Sequence, residues 1–323
     1  MKACVFTLGC KVNEVESASV MAALREWGVE VSEHLCPADI YVLNTCAVTR
    51  EAEKKSRQLI ARVRKFNPNG EIFVVGCAAQ KDGQAFIERG VQYVGGARGK
   101  NGLIAALANK LGREYAATNN DQGYENMPEP LQLRTRAFIK IEDGCNNFCS
   151  YCVIPYLRGR VRSRAAEEIV CEVKHTACPE AVLTGINISA YNYGGLGLAG
   201  LIAALRGIKK RIRLGSIECS VIDENFLSAC RELEDFAPQF HLSLQSGSDA
   251  VLKRMNRRYT RAQYLEKCAL IYKFFPEAAI TTDIIAGFPG ESDADFEDSL
   301  SIIDEAGLAR VHAFAFSPRE GTA

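Results

Sequence analysis

The stretch Ala137-Phe138-Ile139-Lys140-Ile141-Glu142-Asp143-Gly144-Cys145-Asn146-Asn147-Phe148-Cys149-Ser150-Tyr151-Cys152 joins a short apolar run to three closely spaced cysteines. Residues 137–141 read as a buried strand. The loop after such a strand lies at the carboxyl edge of a parallel sheet, where α/β folds bind their ligands. Cys145, Cys149 and Cys152 follow a Cys-x3-Cys-x2-Cys spacing. Three thiolates on one loop can hold three irons of a cubane cluster. No fourth ligand stands nearby, His175 being the nearest downstream histidine, so one iron is left open to a substrate, as catalytic zinc keeps an open position. The alternatives are a structural zinc site or three unrelated thiols. Zinc calls for four ligands, often in two separated pairs.

Downstream of this loop, apolar runs and helical patterns alternate. Strands are expected at 181–184, 211–214, 239–244, 279–285 and 310–316, and helices at 165–176, 198–207, 223–232, 261–274 and 293–305. With residues 137–141 this makes six strand–helix steps, the pattern of a partial (β/α)6 barrel, with a doubly wound open sheet as the alternative. Upstream, residues 116–134 are polar and rich in turn formers, and read as a linker. Residues 1–115 alternate in the same way. Strands at 2–7, 39–44, 71–76 and 91–94 and helices at 14–27, 51–66 and 103–111 predict a parallel-sheet α/β domain covered on both faces. The expected organisation is therefore an α/β domain over 1–115, a linker over 116–134 and a barrel domain over 135–323.

A second cysteine set appears only in the light of this topology. Cys10 follows the first strand through Leu8-Gly9, Cys46 follows the second through Thr45, and Cys77 follows the third through Gly76. Parallel strands end on one edge, so these three distant thiols converge there and suit another cluster with one open iron. Taken singly, each would read as a buried thiol. The other seven of the thirteen cysteines share no such register and read as packing or surface residues.

Composition narrows the setting. The chain has 323 residues, 47% of them hydrophobic, with 39 basic against 39 acidic side chains. A balanced charge argues against wholesale polyanion binding but allows local basic patches. No apolar run is long enough for a membrane span, and Met1 leads into a strand without a signal-peptide layout. The expected location is the reducing cytoplasm, where clustered cysteines serve metal or redox chemistry.

Three basic runs stand out. Arg158, Arg160, Arg162 and Arg164 alternate with other residues, so an extended segment would carry all four on one side. They are expected to contact RNA or a cofactor at the rim of the site, together with Arg257 and Arg258 of the run Lys253-Arg254-Met255-Asn256-Arg257-Arg258. Phosphate neutralisation by such residues gives salt-sensitive affinity. Lys54, Lys55, Arg57, Arg62, Arg64 and Lys65 read as a solvated helix face. His34, His175, His241 and His312 show no ligand spacing, and no Ser/His/Asp or paired-carboxylate arrangement competes for the site.

The Cys145–Cys152 spacing resembles the radical S-adenosylmethionine superfamily. Thr7-Leu8-Gly9-Cys10-Lys11-Val12-Asn13, Asn44-Thr45-Cys46, Val75-Gly76-Cys77-Ala78 and the segment from Asp143 through Arg164 resemble the methylthiotransferases within it, as do Leu242–Asp249 and Lys253–Arg257. Gly9-Cys10-Lys11-Val12-Asn13 and the Arg-Gly-Arg-x-Arg-Ser-Arg run resemble the threonylcarbamoyladenosine tRNA branch. The isopentenyladenosine branch usually carries Gly-Cys-Gln-Met-Asn.

The resemblance implies two 4Fe-4S clusters, one on Cys145, Cys149 and Cys152 and an auxiliary one on Cys10, Cys46 and Cys77. It implies S-adenosylmethionine contacts at Tyr151, Thr184, Gly185, Asn187, Glu218, Gln245 and Gly287. The activity implied is conversion of N6-threonylcarbamoyladenosine at position 37 of tRNA to its 2-methylthio form. One S-adenosylmethionine is the methyl donor and a second is the source of a 5′-deoxyadenosyl radical. An external flavodoxin- or ferredoxin-like electron donor and a sulfur source are implied partners. The alternatives are methylthiolation of isopentenyladenosine or of a ribosomal-protein aspartate, and, in another class, a non-catalytic electron-transfer or sensor protein. Family members continue past the last barrel strand into a small RNA-gripping β-domain, which is expected to lie outside this chain.

Overall fold

The computed structural model describes residues 1–322. It divides into two compact units, one formed by Met1–Leu133 with Val153–Arg160, the other by Arg134–Cys152 with the chain from Val161 onward. Among the described residues no helix is long and apolar enough to cross a membrane.

The first unit is built on five strands, β1 (Lys2–Thr7), β2 (Glu30–Ser32), β3 (Ile40–Thr45), β4 (Glu71–Gly76) and β5 (Tyr93–Val94), in the order β2-β1-β3-β4-β5. All four pairings are parallel. β3 is central and buried at every position, as an unbroken Ile-Tyr-Val-Leu run requires when helices cover both faces. The crossovers include α1 (Lys11–Glu26), α2 (Arg50–Phe66) and α3 (Cys77–Lys81), and α4 (Lys100–Lys110) follows the last strand. On one face Val5, Val42 and Val75 pack with Leu24, Leu103 and Leu107. On the other, Tyr41, Leu43 and Val74 pack with Leu59, Ile60 and Val63, the apolar stripe of an otherwise charged α2. α2 begins at Thr49, whose hydroxyl accepts from the Ala52 amide at 3.1 Å. The polar edge strand β2 has no apolar alternation, which is why periodicity misses it.

Residues 116–133, expected as a linker, are an ordered strap on this unit. Tyr124 is buried and the Leu131 amide donates to Ala18 O at 3.2 Å. The Glu125 carboxylate accepts from the amides of Gly99 and Asn101 at 3.0 and 3.2 Å, closing the start of α4. The first unit also takes in a short helix beyond the cysteine loop, α5 (Ile154–Arg158), with Val153 and Leu157 in the α2-side core.

The second unit carries the parallel strands β6 (Arg136–Lys140), β7 (Glu180–Thr184), β8 (Arg211–Leu214), β9 (Ser216–Ile217), β10 (Asp235–Phe236), β11 (Gln239–Leu242), β12 (Ala279–Ala286) and β13 (Arg310–Ala315). They form two ladders, β10-β8-β7-β6 and β9-β11-β12-β13. β8 and β9 are one strand interrupted at Gly215, where a Cβ would lie 3.0 Å from Leu183 O. The continuous order β6-β7-β8/β9-β11-β12-β13 is the partial six-stranded barrel expected from the sequence. Its helices are α6 (Ala166–His175), α7 (Leu198–Ala204), α8 (Glu224–Arg231), α9 (Asp249–Arg254), α10 (Arg261–Phe274) and α11 (Asp293–Glu305). Inward from them, Ile139, Leu183, Ile212, Phe240, Ile280 and Ile302 form one core.

Candidate cysteine-cluster sites

In the first unit, Cys10, Cys46 and Cys77 stand just past β1, β3 and β4, as the strand-end argument requires. Cys10 is exposed at the N-cap of α1. Cys46 and Cys77 are buried. Asn13 ties the first two loops together. Its Nδ2 donates to Leu8 O, Asn44 Oδ1 and Thr45 O at 3.0, 3.1 and 3.2 Å. Thr45 ties the second to the third, donating to Val75 O at 2.6 Å and accepting from the Ala79 amide at 3.3 Å. Gly76, at φ +105°, is obligatory: a Cβ there would sit 2.3 Å from Thr45 O. At Gly9 a Cβ would come 3.3 Å from the Cys46 Cβ, so the first two cysteine loops are in close approach.

Burial pushes the Cys46 and Cys77 thiols up, with Cys10 adding to the rise of both. Against this stands Arg158, the largest fully buried side chain among the described residues. Its Nη1 lies 3.0 Å from Glu16 Oε1 and its Nη2 donates to Asn13 Oδ1 at 2.8 Å. The Asn13 Oδ1 also accepts from Cys10 Sγ at 3.5 Å. Lys100 Nζ lies 3.0 Å from Glu16 Oε2. The donor set fits a cubane: three thiols on neighbouring strand ends, with buried cations beside them.

In the second unit, Cys145, Cys149 and Cys152 lie on the loop after β6. The segment expected to meet RNA instead buttresses this loop. Asn256 (φ +58°) donates from Nδ2 to Phe148 O at 2.9 Å, and Ser150 bonds to Met255 O and Arg254 O through its amide and hydroxyl at 3.1 and 2.8 Å. The Cys145 thiol is pushed up by burial and drawn back by the Asn147 amide and the Asn187 side chain. Asn187 Nδ2 is 3.8 Å from Cys145 Sγ, and Arg257 Nη1 is 3.5 Å from Cys149 Sγ. Donors to ligand sulfurs of this kind tune a cluster's potential.

The residues expected around S-adenosylmethionine gather about the same loop in part. Glu218 Oε1 accepts from Asn147 Nδ2 at 2.5 Å and from Arg257 Nη1 at 3.2 Å. Thr184 closes β7, and Gly185 follows it tightly, since a Cβ would fall 2.7 Å from Glu142 Oε2. Tyr151 packs against the cluster of Val251, Met255 and Phe288. Gln245 holds φ +77°, rare for a non-glycine, while its amide donates to Asp283 O at 2.8 Å. Gly287, at φ +74°, donates its amide to Glu291 Oε2 at 2.5 Å.

Two RNA-contact expectations are corrected. Arg158 is enclosed beside Glu16, and Arg257, 6% exposed, is locked to Glu218, Ser243 O and Tyr259 OH. In both cases an internal carboxylate captures the guanidinium. Arg162 faces Asp143 at 3.8 Å, and Arg164 pairs with Glu168 at 3.2 Å and with Glu172. The four arginines therefore do not share one face. Arg160 and Arg258 are exposed.

Sequence reading missed Asn13, Glu16, Lys100 and Glu142. Asn13 was legible as an amide three residues past Cys10; the others carry no local signal. Among the described residues, no three His, Cys, Asp or Glu side chains come together as ligands of one ion. A cubane differs in taking one thiolate at each separate iron corner.

This fold and cysteine loop define a radical S-adenosylmethionine enzyme. Residues 139–303 match the radical SAM superfamily, and residues 2–95 match the family described as Uncharacterized protein family UPF0004. A Chlamydia pneumoniae protein named threonylcarbamoyladenosine tRNA methylthiotransferase MtaB is 40% identical over 98% of this chain and 74% of its own length. The Bacillus subtilis MtaB is 36% identical over 98% and 73%. A Fervidobacterium nodosum protein named tRNA-2-methylthio-N(6)-dimethylallyladenosine synthase is 35% identical over 100% and 77%. In fold, the chain resembles the cobalamin-dependent S-adenosylmethionine radical enzyme OxsB, with a TM-score of 0.63 at 12% identity over 94% of this chain and 51% of that one. The chain belongs to the radical S-adenosylmethionine methylthiotransferase family.

Proposed function

We propose that the chain methylthiolates tRNA, converting N6-threonylcarbamoyladenosine at position 37 to its 2-methylthio derivative. The observation that carries the reading is the double cysteine arrangement, Cys145, Cys149 and Cys152 on one loop and Cys10, Cys46 and Cys77 on three strand ends. Relatives named for the threonylcarbamoyl nucleoside, and the Gly9-Cys10-Lys11-Val12-Asn13 motif, support this branch. The isopentenyladenosine reading stands second, because a relative named for the dimethylallyl nucleoside matches at 35% identity over the whole chain.

When bound, one 4Fe-4S cluster supplies the electron that cleaves S-adenosylmethionine, and the other supplies the site from which sulfur is delivered. The chain's residues prepare those positions. Asn187 and Arg257 donate toward sulfurs of the first set. Glu142 holds the Gly185–Asn187 turn by accepting from the Asn187 amide at 2.7 Å. Asn13 and Thr45 fix the spacing of the auxiliary set. The mobile partners are tRNA, an external flavodoxin- or ferredoxin-like electron donor and a sulfur source, all met in the cytoplasm.

The test is nucleoside mass spectrometry on bulk tRNA from a bacterial host lacking methylthio-threonylcarbamoyladenosine, with and without this chain. Appearance of the 2-methylthio nucleoside supports the reading. A mark on isopentenyladenosine moves the assignment to the second branch. No mark on tRNA, even with an RNA-binding tail fused to the chain, overturns both.

A further inference from the structure

One side of β11, β12 and β13 is apolar. Phe240, Leu242, Ile280 and Ile284 are buried in the core shared with the helices, and Val311 packs against it. Side chains alternate along a strand, so His241, Thr281, Asp283, Arg310, His312 and Phe314 share the opposite, inner side of the partial barrel. That side is polar. Arg213 Nε lies 2.6 Å from Glu180 Oε1, and its Nη1 donates to Gln239 Oε1 at 3.4 Å. Gln239 Nε2 donates to Thr281 Oγ1 at 3.0 Å. Thr281 Oγ1 stands 3.0 Å from His241 Nδ1, and His241 Nε2 stands 3.3 Å from Asp283 Oδ2. This chain of polar contacts runs from β7 through β8 and β11 and ends on β12 at Asp283, whose carbonyl takes the Gln245 amide at 2.8 Å.

The last strand carries groups that the network does not use. Its register sets Arg310 beside Thr281, His312 beside Asp283 and Phe314 beside Ile285, and the His312 ring lies 5.8 Å from that of His241. Among the described residues, Arg310 makes no ion pair and the His312 nitrogens make no hydrogen bond, while Phe314 is 52% exposed. Successive inner positions on a strand stand about 7 Å apart. Read inward from the carboxyl edge, the order is an aromatic ring, an imidazole beside a carboxylate, and a guanidinium. Threonylcarbamoyladenosine presents the matching order: a flat base, a ureido link with a hydroxyl, and a terminal carboxylate.

We propose that the inner face of β13, with Asp283 beside it, is the subsite that reads the target nucleoside. Phe314 stacks on the base, Asp283 and His312 meet the ureido and hydroxyl groups, and Arg310 takes the carboxylate. The inference rests on the threonylcarbamoyl reading above and names the residues that decide it. An isopentenyl chain offers none of these partners. A site built to hydrogen-bond its substrate rejects an analogue that leaves its polar groups unpaired.

The test measures binding of fluorescein-labelled anticodon stem-loops to the full reconstituted chain by anisotropy at one fixed salt concentration. The loops differ only at position 37, which carries threonylcarbamoyladenosine, its methyl ester or isopentenyladenosine. Wild type is expected to bind the acid about tenfold more tightly than either of the others. Arg310→Gln, an exposed substitution with iron content as the check on folding, is expected to bind acid and ester alike. A variant that keeps the wild-type preference for the acid overturns the subsite and leaves the branch assignment standing. So does a wild type that favours the acid over isopentenyl but not over the ester. An equal loss on all three loops makes Arg310 a plain phosphate contact and likewise overturns the subsite. A wild type that prefers the isopentenyl loop, or binds none, overturns the branch assignment and the subsite together.

Discussion

Glu142 gives the sharpest thermodynamic prediction. Its carboxyl is fully buried, and burial pushes its pKa up to about 8. The Asn187 and Ile186 amides and Lys140 pull the other way, and Asp143 adds to the rise. Oε2 accepts the Asn187 amide, while Oε1 has no hydrogen-bond partner. An acid whose folded pKa stands above its unfolded value binds more protons when folded, so stability falls as pH rises between the two values. From the ordinary 4.5 to about 8, at about 1.4 kcal/mol per pH unit, the full loss is about 5 kcal/mol, and about 3 kcal/mol is already lost at neutral pH. Glu142→Gln keeps the shape and the acceptor for Asn187 but cannot ionise. Its urea-unfolding free energy, followed by circular dichroism in the metal-free chain, is expected to lack the decline that wild type shows between about pH 5 and 8. The wild-type infrared spectrum is expected to hold a protonated-carboxyl band that titrates near pH 8 and is missing in the variant. Parallel stability profiles for the two proteins, with no such band, would show Glu142 ionised at neutral pH and refute the argument.

Other perturbations read the two cysteine sets separately. Cys46→Ala is expected to reconstitute with about half the wild-type iron, to cleave S-adenosylmethionine and to lose methylthiolation; retained methylthiolation would remove Cys46 from the site. Gly76→Ala places a Cβ against Thr45 O in a positive-φ residue, which should cost at least about 2 kcal/mol in chemical denaturation; an unchanged midpoint would contradict the packing. Arg257→Lys keeps a charge but loses the fork that reaches Cys149, Glu218 and Ser243 together. S-adenosylmethionine cleavage should slow by about 10–100-fold with iron retained, and wild-type cleavage would show the fork to be dispensable.

Much of the fold was legible because parallel strands buried on both faces are written as short apolar runs. Residues 39–44 and 279–285 needed only that signal, and they appear as Ile40–Thr45 and Ala279–Ala286. The edge strand Glu30–Ser32 was illegible because half its surroundings are solvent. The strap at 116–133 read as a linker because its hold comes from single contacts, Tyr124 and Glu125, rather than from a period. The placement of Cys10, Cys46 and Cys77 at neighbouring strand ends was legible through topology alone, since the strand ends of a parallel sheet share an edge. Glu16 and Lys100 were not. A buried charge looks in sequence like any surface charge until its partner is known.

The arginine run from 158 to 164 shows how far local pattern carries. Alternation predicts one shared face only if the segment stays extended and in one environment. Here Gly159, at φ +75°, ends α5 and turns the chain, with a Cβ there 2.1 Å from the Arg98 guanidinium. Arg158 therefore falls on a helix that packs into the first unit, whereas Arg162 and Arg164 lie in the second, beside Asp143 and Glu172. The segment is free of acids in sequence, yet it is answered by acids from elsewhere, because an unpaired guanidinium cannot be buried without a large desolvation cost. An acid-free basic run is thus weak evidence for a nucleic-acid surface when a glycine divides it. The arginines here that remain exposed, Arg160 and Arg258, are the ones to examine for salt-dependent RNA affinity.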